Sequence, residues 1–102
     1  MFARVTIWEA RPERLDNMIH EIEEHALPAL RRQDGFAGVQ LLGERGSGKV
    51  LAVTLWESEQ AMDATEEAAY WLRGFGAEAA SGMVRTVERY EVFFSEVVGA
   101  RP

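Results

Sequence analysis

Two short stretches of the chain carry residues that could build a ligand-binding site. They read VTIWEA at residues 5–10 and VTLWES at residues 53–58. In each stretch a threonine precedes a tryptophan by two positions, and residues two apart project from the same face of a β-strand. Indole rings beside a few hydroxyl groups are typical of a pocket for a small apolar molecule. The pairs Thr6 and Trp8, and Thr54 and Trp56, are therefore the first candidates for a site.

Arginines inside β-rich runs offer a second kind of chemistry. Arg4, Arg85 and Arg89 fall in such runs. Most arginines there form surface ion pairs. One that is turned inward could hold a carboxylate or a phenolate, because the planar guanidinium group can donate two parallel hydrogen bonds to such a group.

The remaining polar clusters favour a solvated surface. His20 lies on the polar side of a helical pattern and His25 on its flank, and the two lack the spacing of a metal-binding pair. Glu21, Glu23 and Glu24 are typical of an exposed helix face. We therefore expect no metal site, and no bound haem or flavin.

Charge and composition exclude several classes of function. The chain has 17 acidic and 11 basic residues, a net charge of −6, which opposes binding to nucleic acid phosphates. The absence of cysteine excludes a disulfide framework, a thiolate zinc site and a cysteine nucleophile. The first residues lack the apolar core of a signal peptide, and no 18 apolar residues run together. We expect a cytoplasmic protein with no nucleic-acid partner and no membrane partner.

The spacing of apolar residues predicts four strands and two helices. A β-rich run, Phe2 to Trp8, precedes a helix that starts near Pro12, and Pro28 predicts a kink or an early end near residues 26–27, with one further turn to Arg32 at most. Two β-rich runs, 36–45 and 49–57, flank a glycine-rich hairpin turn. Further elements are a helix capped by Ser58 and ended by Gly74 and Gly76, and a long, bent or bulged strand over 83–97.

This order, β-α-β-β-α-β, is that of an α+β ferredoxin-like fold, in which a four-stranded antiparallel sheet carries two helices on one face. We assign residues 1–98 to this single domain and residues 99–102 to a loose C-terminal tail. The two repeated stretches then end the first and third strands at equivalent places in the two halves. A helix follows each of them in the sequence.

Alternation with period two divides each of these strands into two sets of side chains. One set is purely aliphatic, and the other carries the tryptophans and threonines. The aliphatic sets suit packing against helices, so we expect Trp8 and Trp56 on the face without helices. An exposed aromatic face is typical of an interface, which predicts a homodimer that packs sheet to sheet. The aliphatic set consists of Ala3, Val5, Ile7, Leu51, Val53 and Leu55.

The whole pattern resembles the antibiotic biosynthesis monooxygenase-like proteins of the dimeric α/β-barrel superfamily. The resemblance rests on a helix start that contains proline, on DGF at residues 34–36, and above all on WESEQA at residues 56–61 after a β-run. It implies a ferredoxin-like protomer, a dimer, and a pocket between sheet and helices in each subunit.

The resemblance also implies functional positions. In the branch that oxidises phenolic polyketides to quinones without a cofactor, the tryptophan at Trp56 is joined by an asparagine and a tyrosine where this chain has Ala52 and Met62. In the haem-degrading branch the site consists of an asparagine on the first strand, a tryptophan on the second helix and a histidine further along, and the positions aligned here are Thr6 and Thr65. The chain has no histidine after His25, so haem degradation is not expected.

The resulting hypothesis is a dimer that binds a small aromatic or apolar molecule, with cofactor-independent oxygenation of a phenolic or quinol-type substrate as its enzymatic form. The alternative is a ligand-binding or structural dimer without catalysis, which Ala52 and Met62 favour. Trp56 is the candidate catalytic residue. Tyr70 and Trp71 are predicted either as dimer contacts or as the rim of the pocket. The candidate pocket residues are Thr6, Trp8, Ala52, Thr54, Met62, Thr65, Trp71 and Tyr90.

Overall fold

A single four-stranded antiparallel sheet organises the computed structural model, which describes residues 1–99. The strands are β1 (Phe2–Glu9), β2 (Phe36–Glu44), β3 (Lys49–Trp56) and β4 (Met83–Glu91), and their order in the sheet is β2-β3-β1-β4. The helices cover one face of this sheet, which confirms the predicted ferredoxin-like α+β fold. Of the tail predicted at 99–102, residues 100–102 lie outside the described part of the chain.

The first helical region ends at Arg31, within the further turn predicted to Arg32, and is irregular in its middle. A 3₁₀ turn at Pro12–Arg14 leads into α1 (Leu15–Glu21), a π-helical segment (Ile22–Ala26) and α2 (Leu27–Arg31). The Leu27 N–H donates to the carbonyl of Ile22, five residues earlier. Proline lacks an N–H and crowds the preceding turn, and a wider turn just before Pro28 accommodates it. Of the two alternatives predicted near residues 26–27, a kink or an early end, the helical region shows an irregular turn and does not end there.

The second helical region continues past its predicted end. Ser58 caps α3 (Glu59–Ala64), as predicted, by accepting a hydrogen bond from the Ala61 N–H at 3.1 Å. After a break at Thr65, α4 (Glu66–Ala79) runs through both glycines. Gly76 is buried, and a Cβ there would lie at ordinary contact distances of 3.5–3.6 Å from Met18 and Trp8, so this part of the helix packs against the core.

The last strand is shorter than predicted but carries the predicted irregularity. It ends at Glu91 because Glu91 is paired with Phe2, where β1 begins, and no further strand residues remain to pair with. Residues 92–99 form neither helix nor strand. A register shift between Ile7 and Trp8 marks a β-bulge in the pairing of β1 with β4.

The prediction about the two faces of the sheet is wrong. Trp8 donates its indole N–H to the Arg73 carbonyl in α4, and Trp56 packs on Leu30 and Met62. The tryptophans and threonines therefore face the helices, and the aliphatic set lies on the open face. Large rings fill the gap between sheet and helix layers, whereas short aliphatic side chains leave the open face flat. Alternation defines the two sets but does not say which one the helices cover.

Two buried clusters form the core between sheet and helices. One contains Trp8 with Leu15, Met18 and Ala80, and the other contains Trp56 with Leu30 and Met62. No helix in residues 1–99 combines the length and the apolar character needed to cross a membrane.

Candidate functional site

A cavity lies between the sheet and the helices, in the region that separates the two core clusters. Its volume is about 60 Å³, and most of its wall is apolar. The strands contribute residues from β1, β2 and β3, and the helical regions contribute residues from the π-helical segment, α2 and α4. The wall consists of Arg4, Thr6, Trp8, Ile22, Ala26, Leu30, Val39, Leu41, Ala52, Thr54, Ala69, Leu72 and Arg73.

Four of the residues predicted from sequence meet on this wall. Thr6, Trp8, Ala52 and Thr54 all line the cavity. Thr6 lies directly opposite Ala52 in the pairing of β1 with β3, and paired residues of neighbouring antiparallel strands project from the same face. The two repeated stretches therefore form one continuous wall.

Trp56, the candidate catalytic residue, lies behind this wall rather than on it. Its side chain is completely buried, and its ring meets Phe36 edge to face at a centroid distance of 5.7 Å. Its indole N–H donates to the Thr54 hydroxyl at 3.0 Å, so the one polar group of the ring is already bonded. In this position Trp56 orients Thr54, which does reach the cavity.

Met62 and Thr65 also lie behind the wall, where they hold Arg4. The Nη2 of Arg4 donates to the Met62 carbonyl at 2.7 Å and lies 3.5 Å from the Thr65 hydroxyl oxygen. That hydroxyl in turn donates to the Met62 carbonyl at 2.9 Å. Met62 lies in α3 and Thr65 at the break that follows it, and together they hold the guanidinium group of Arg4 in position.

Trp71 and Tyr90 are remote from the cavity wall. Trp71 is 60% exposed on α4 and meets the ring of Tyr70 edge to face. Tyr90 lies opposite Ala3 on the open face of the sheet, where its hydroxyl donates to Glu88 at 2.9 Å. This bond raises the pKa of Tyr90. Tyr90 shares a separate surface pocket with Met62, and neither Trp71 nor Tyr90 belongs to the cavity wall.

A buried ion network forms the polar side of the cavity. Arg4 is only 2% exposed, and its Nη2 lies 2.8 Å from Glu66, which also receives Nη2 of Arg73 at 3.1 Å. Burial lowers the pKa of Arg4, because it disfavours the charged form, and the Glu66 carboxylate opposes that shift. Arg4 also lies 5.7 Å from the centroid of the Trp56 ring. Of the three strand arginines, Arg4 is thus the one that points inward.

Two nitrogen atoms of this network have no hydrogen-bond partner among residues 1–99. They are Nε of Arg4 and Nη1 of Arg73, and both are buried. A buried donor of this kind costs about 1–3 kcal/mol when nothing accepts from it, and more when it is charged. Both atoms belong to side chains that line the cavity.

Arg73 was missed by the reasoning from sequence. Its signal was present, because Ala69, Leu72 and Arg73 stand at the three- and four-residue spacing that places side chains on one helix face. Glu66 lies two turns earlier in the same helix, but Trp8 and Arg4, the strand residues of this group, are distant in sequence and give no local pattern.

The histidines do not reach this site. His25 lies 3.1 Å from Glu21 on the first helical region, and neither His20 nor His25 belongs to the cavity wall. Among residues 1–99, no group of three or more histidine, aspartate or glutamate side chains is arranged to hold a metal ion. The absence of a cofactor stays a prediction.

Comparison with known proteins assigns the chain to a family. The family model described as antibiotic biosynthesis monooxygenase matches residues 1–76, which include three of the four strands and most of the cavity wall. The chain belongs to this antibiotic biosynthesis monooxygenase family. Two uncharacterized proteins of Mycobacterium tuberculosis are 36% identical to it over 92 residues, or 90% of this chain. The chain spans about two fifths of the length of these relatives, 41% of one and 39% of the other.

Several solved protein structures show the same fold. The heme-degrader MhuD from Mycobacterium tuberculosis, with two hemes bound in its active site, superposes with a TM-score of 0.72 at 22% identity, covering 95% of this chain and 100% of that one. The Streptomyces coelicolor monooxygenase ActVA-Orf6, in complex with nanaomycin D, gives a TM-score of 0.70 at 15% identity, covering 97% and 92%. At these identities the likeness concerns the fold alone.

Proposed function

We propose that the protein binds a small aromatic or apolar molecule in the cavity and oxidises a phenolic or quinol-type substrate with dioxygen, without a cofactor. The observation that carries the proposal is the largely apolar cavity between sheet and helices, walled by Thr6, Trp8, Ala52 and Thr54. Membership in the antibiotic biosynthesis monooxygenase family supports oxygenation as the reaction. A monooxygenase of the same fold is known in complex with nanaomycin D, which supports a polar aromatic ligand.

The reaction needs little from the protein. A phenol and dioxygen give a quinone and water: one oxygen atom enters the ring carbon that loses its hydrogen, and the other leaves as water. The substrate itself supplies the electrons. The protein would contribute a dry cavity, a fixed orientation of the ring and stabilisation of the anion that forms.

The volume of the cavity restricts the substrate. About 60 Å³ is small beside ligand pockets, which usually exceed about 300 Å³. Even a single ring would need the wall side chains to move apart in a space of this volume, and a large polycyclic compound would need a much larger movement. We therefore propose a phenol with one or two rings as the substrate class.

The side chains that line the cavity also support a second function, ligand binding without catalysis. Among the described residues, the polar side chains of this wall are threonine, tryptophan and arginine, and none of these is a general base at neutral pH. A catalysed reaction would therefore need a substrate that enters as its phenolate or loses its proton to water. Binding alone makes no such demand.

Oxidation of 1-naphthol separates these two functions. We expect purified protein to consume one dioxygen per 1,4-naphthoquinone formed, with one atom from ¹⁸O₂ in the product, above the rate without protein. Ala52→Leu should lower this rate about tenfold or more, because the larger side chain fills the cavity. Oxygen electrode and mass spectrometry provide the measurements.

Ala37→Leu is the matched control, since Ala37 is exposed in the neighbouring strand β2 and adds the same bulk outside the cavity. Unchanged oxidation in Ala52→Leu would place the substrate elsewhere. Quenching of tryptophan fluorescence by 1-naphthol without oxygen uptake would support the binding function instead.

We further propose that the protein is a homodimer formed through the open face of the sheet. The sequence predicted a dimer from an exposed aromatic face, but the tryptophans of that set face the helices. The open face nevertheless carries contiguous aliphatic side chains across β1 and β3, where Val5 lies opposite Val53 and Ile7 lies opposite Leu51. A flat aliphatic surface is covered most simply by its own copy.

Light scattering at micromolar concentration tests the dimer. We expect twice the protomer mass of 11.5 kDa. Val53→Asp should give the protomer mass, because a dimer would bury an unpaired carboxylate at the centre of the interface. Val87→Asp, on the other face at β4, should remain dimeric. A wild-type protein of 11.5 kDa would contradict the proposal.

A further inference from the structure

We infer that Arg4 and Arg73 together form a binding site for an anionic oxygen, a carboxylate or a phenolate, carried by the molecule that occupies the cavity. The inference rests on the proposed function, since it concerns a ligand in the same cavity. It adds the charge of that ligand and the residues that recognise it.

The hydrogen bonds of the two arginines leave one buried donor on each without a partner among residues 1–99. Both residues belong to the cavity wall. Arg4 uses Nη2 on Met62 and Glu66, and Arg73 uses Nη2 on Glu66. Nε of Arg4 and Nη1 of Arg73 are buried and have no partner within residues 1–99. One ligand oxygen, or the two oxygens of a carboxylate, could accept from both.

The balance of charge favours an anion over a neutral ligand. Two guanidinium groups share the single carboxylate of Glu66, which leaves a formal charge of +1 beside an otherwise apolar cavity. The nearby Arg89 forms its ion pair with Asp63 rather than with Glu66. Water could satisfy the free donors, but only an anion also compensates the charge, and charge-assisted hydrogen bonds are the stronger ones.

Neighbouring residues hold both guanidinium groups in place before a ligand arrives. Arg4 is bonded to the Met62 carbonyl and lies against the Trp56 ring. The backbone of Arg73 accepts the indole N–H of Trp8 at 3.1 Å. Groups positioned in this way lose little conformational freedom when they bind a ligand. Their attraction to an anion therefore raises the binding affinity for anionic ligands.

Benzoate and benzamide form a matched pair of probes, because they share size and shape and differ in charge. We expect calorimetric titration of the full chain at low salt to show benzoate binding about tenfold more tightly than benzamide. Arg73→Gln should bring the two affinities to within about twofold, mainly by weakening benzoate. Arg73→Lys, which keeps the charge without the planar fork, should retain part of the preference.

Arg85→Gln is the control for lost surface charge, since Arg85 pairs with Glu9 at 2.7 Å on the exposed part of the sheet and is not part of the cavity wall. It should leave the preference unchanged. Equal binding of both probes to the wild type, or an unchanged preference in Arg73→Gln, would overturn the inference and leave the proposed function standing. If neither probe nor 1-naphthol binds, the proposed function falls, and the inference falls with it.

Discussion

Replacement of Trp56 by alanine is expected to lower the free energy of unfolding by about 3–5 kcal/mol. Trp56 is completely buried against Leu30 and Met62, so its removal leaves a large cavity in the second core cluster. The change also removes the edge-to-face contact with Phe36 and leaves the Thr54 hydroxyl without its donor. Urea unfolding followed by circular dichroism measures the difference.

Trp71→Ala provides the matched control, because the same atoms are removed from a side chain that is 60% exposed. Its cost should stay within about 1 kcal/mol. If Trp56→Ala does not fold, Trp56→Phe should still unfold at lower urea concentration than the wild type, with a loss of about 1–3 kcal/mol. Equal losses for the alanine variants of Trp56 and Trp71 would show that Trp56 is not a core residue.

Replacement of Gly48 by alanine is expected to cost about 3 kcal/mol or more. Gly48 has φ +80°, a conformation that residues with a Cβ rarely adopt. A Cβ there would overlap the carbonyl oxygen of Ala10, whose N–H donates to the Gly48 carbonyl at 2.8 Å. The substitution would therefore push the hairpin turn away from the end of β1, just beyond Trp8.

Gly46→Ala tests the same chemical change two residues earlier in the same turn. No atom lies within 4 Å of a Cβ at Gly46, so its stability should stay within about 0.5 kcal/mol of the wild type. Thermal unfolding of both variants gives the comparison. A Gly48→Ala variant as stable as Gly46→Ala would mean that the turn does not hold β1 in the way described.

Local patterns of sequence predicted the elements of the fold well. The repeated strand ends, the glycine-rich hairpin and the cap at Ser58 each depend on residues close together in the chain, and each was found in the structure. The ends of elements were predicted less well, because they depend on distant partners. β4 stops where β1 begins, and α4 continues to Ala79 with Gly76 buried against the core.

The candidate site could be predicted only in part for a related reason. Thr6, Trp8, Ala52 and Thr54 share a face by alternation alone, and they do line the cavity. Alternation carries no information about which face the helices cover, so the side was predicted wrongly. The network of Arg4, Glu66 and Arg73 joins a strand to a helix far along the chain, and such a contact leaves no periodic signal in the sequence.

The π-helical segment Ile22–Ala26 has a consequence for the evolution of the cavity. Ile22 and Ala26, at its two ends, and Leu30, one turn further on, all belong to the wall. Loss of one residue between 22 and 26 would let the helix close with ordinary α-helical bonds. Leu30 and the residues that follow would keep their facing, because the wider turn had absorbed the extra residue. A deletion inside this segment can therefore change the wall between Ile22 and Ala26 in one step and leave Leu30 in place, whereas a deletion in a regular α-helix would rotate every later residue by about 100°.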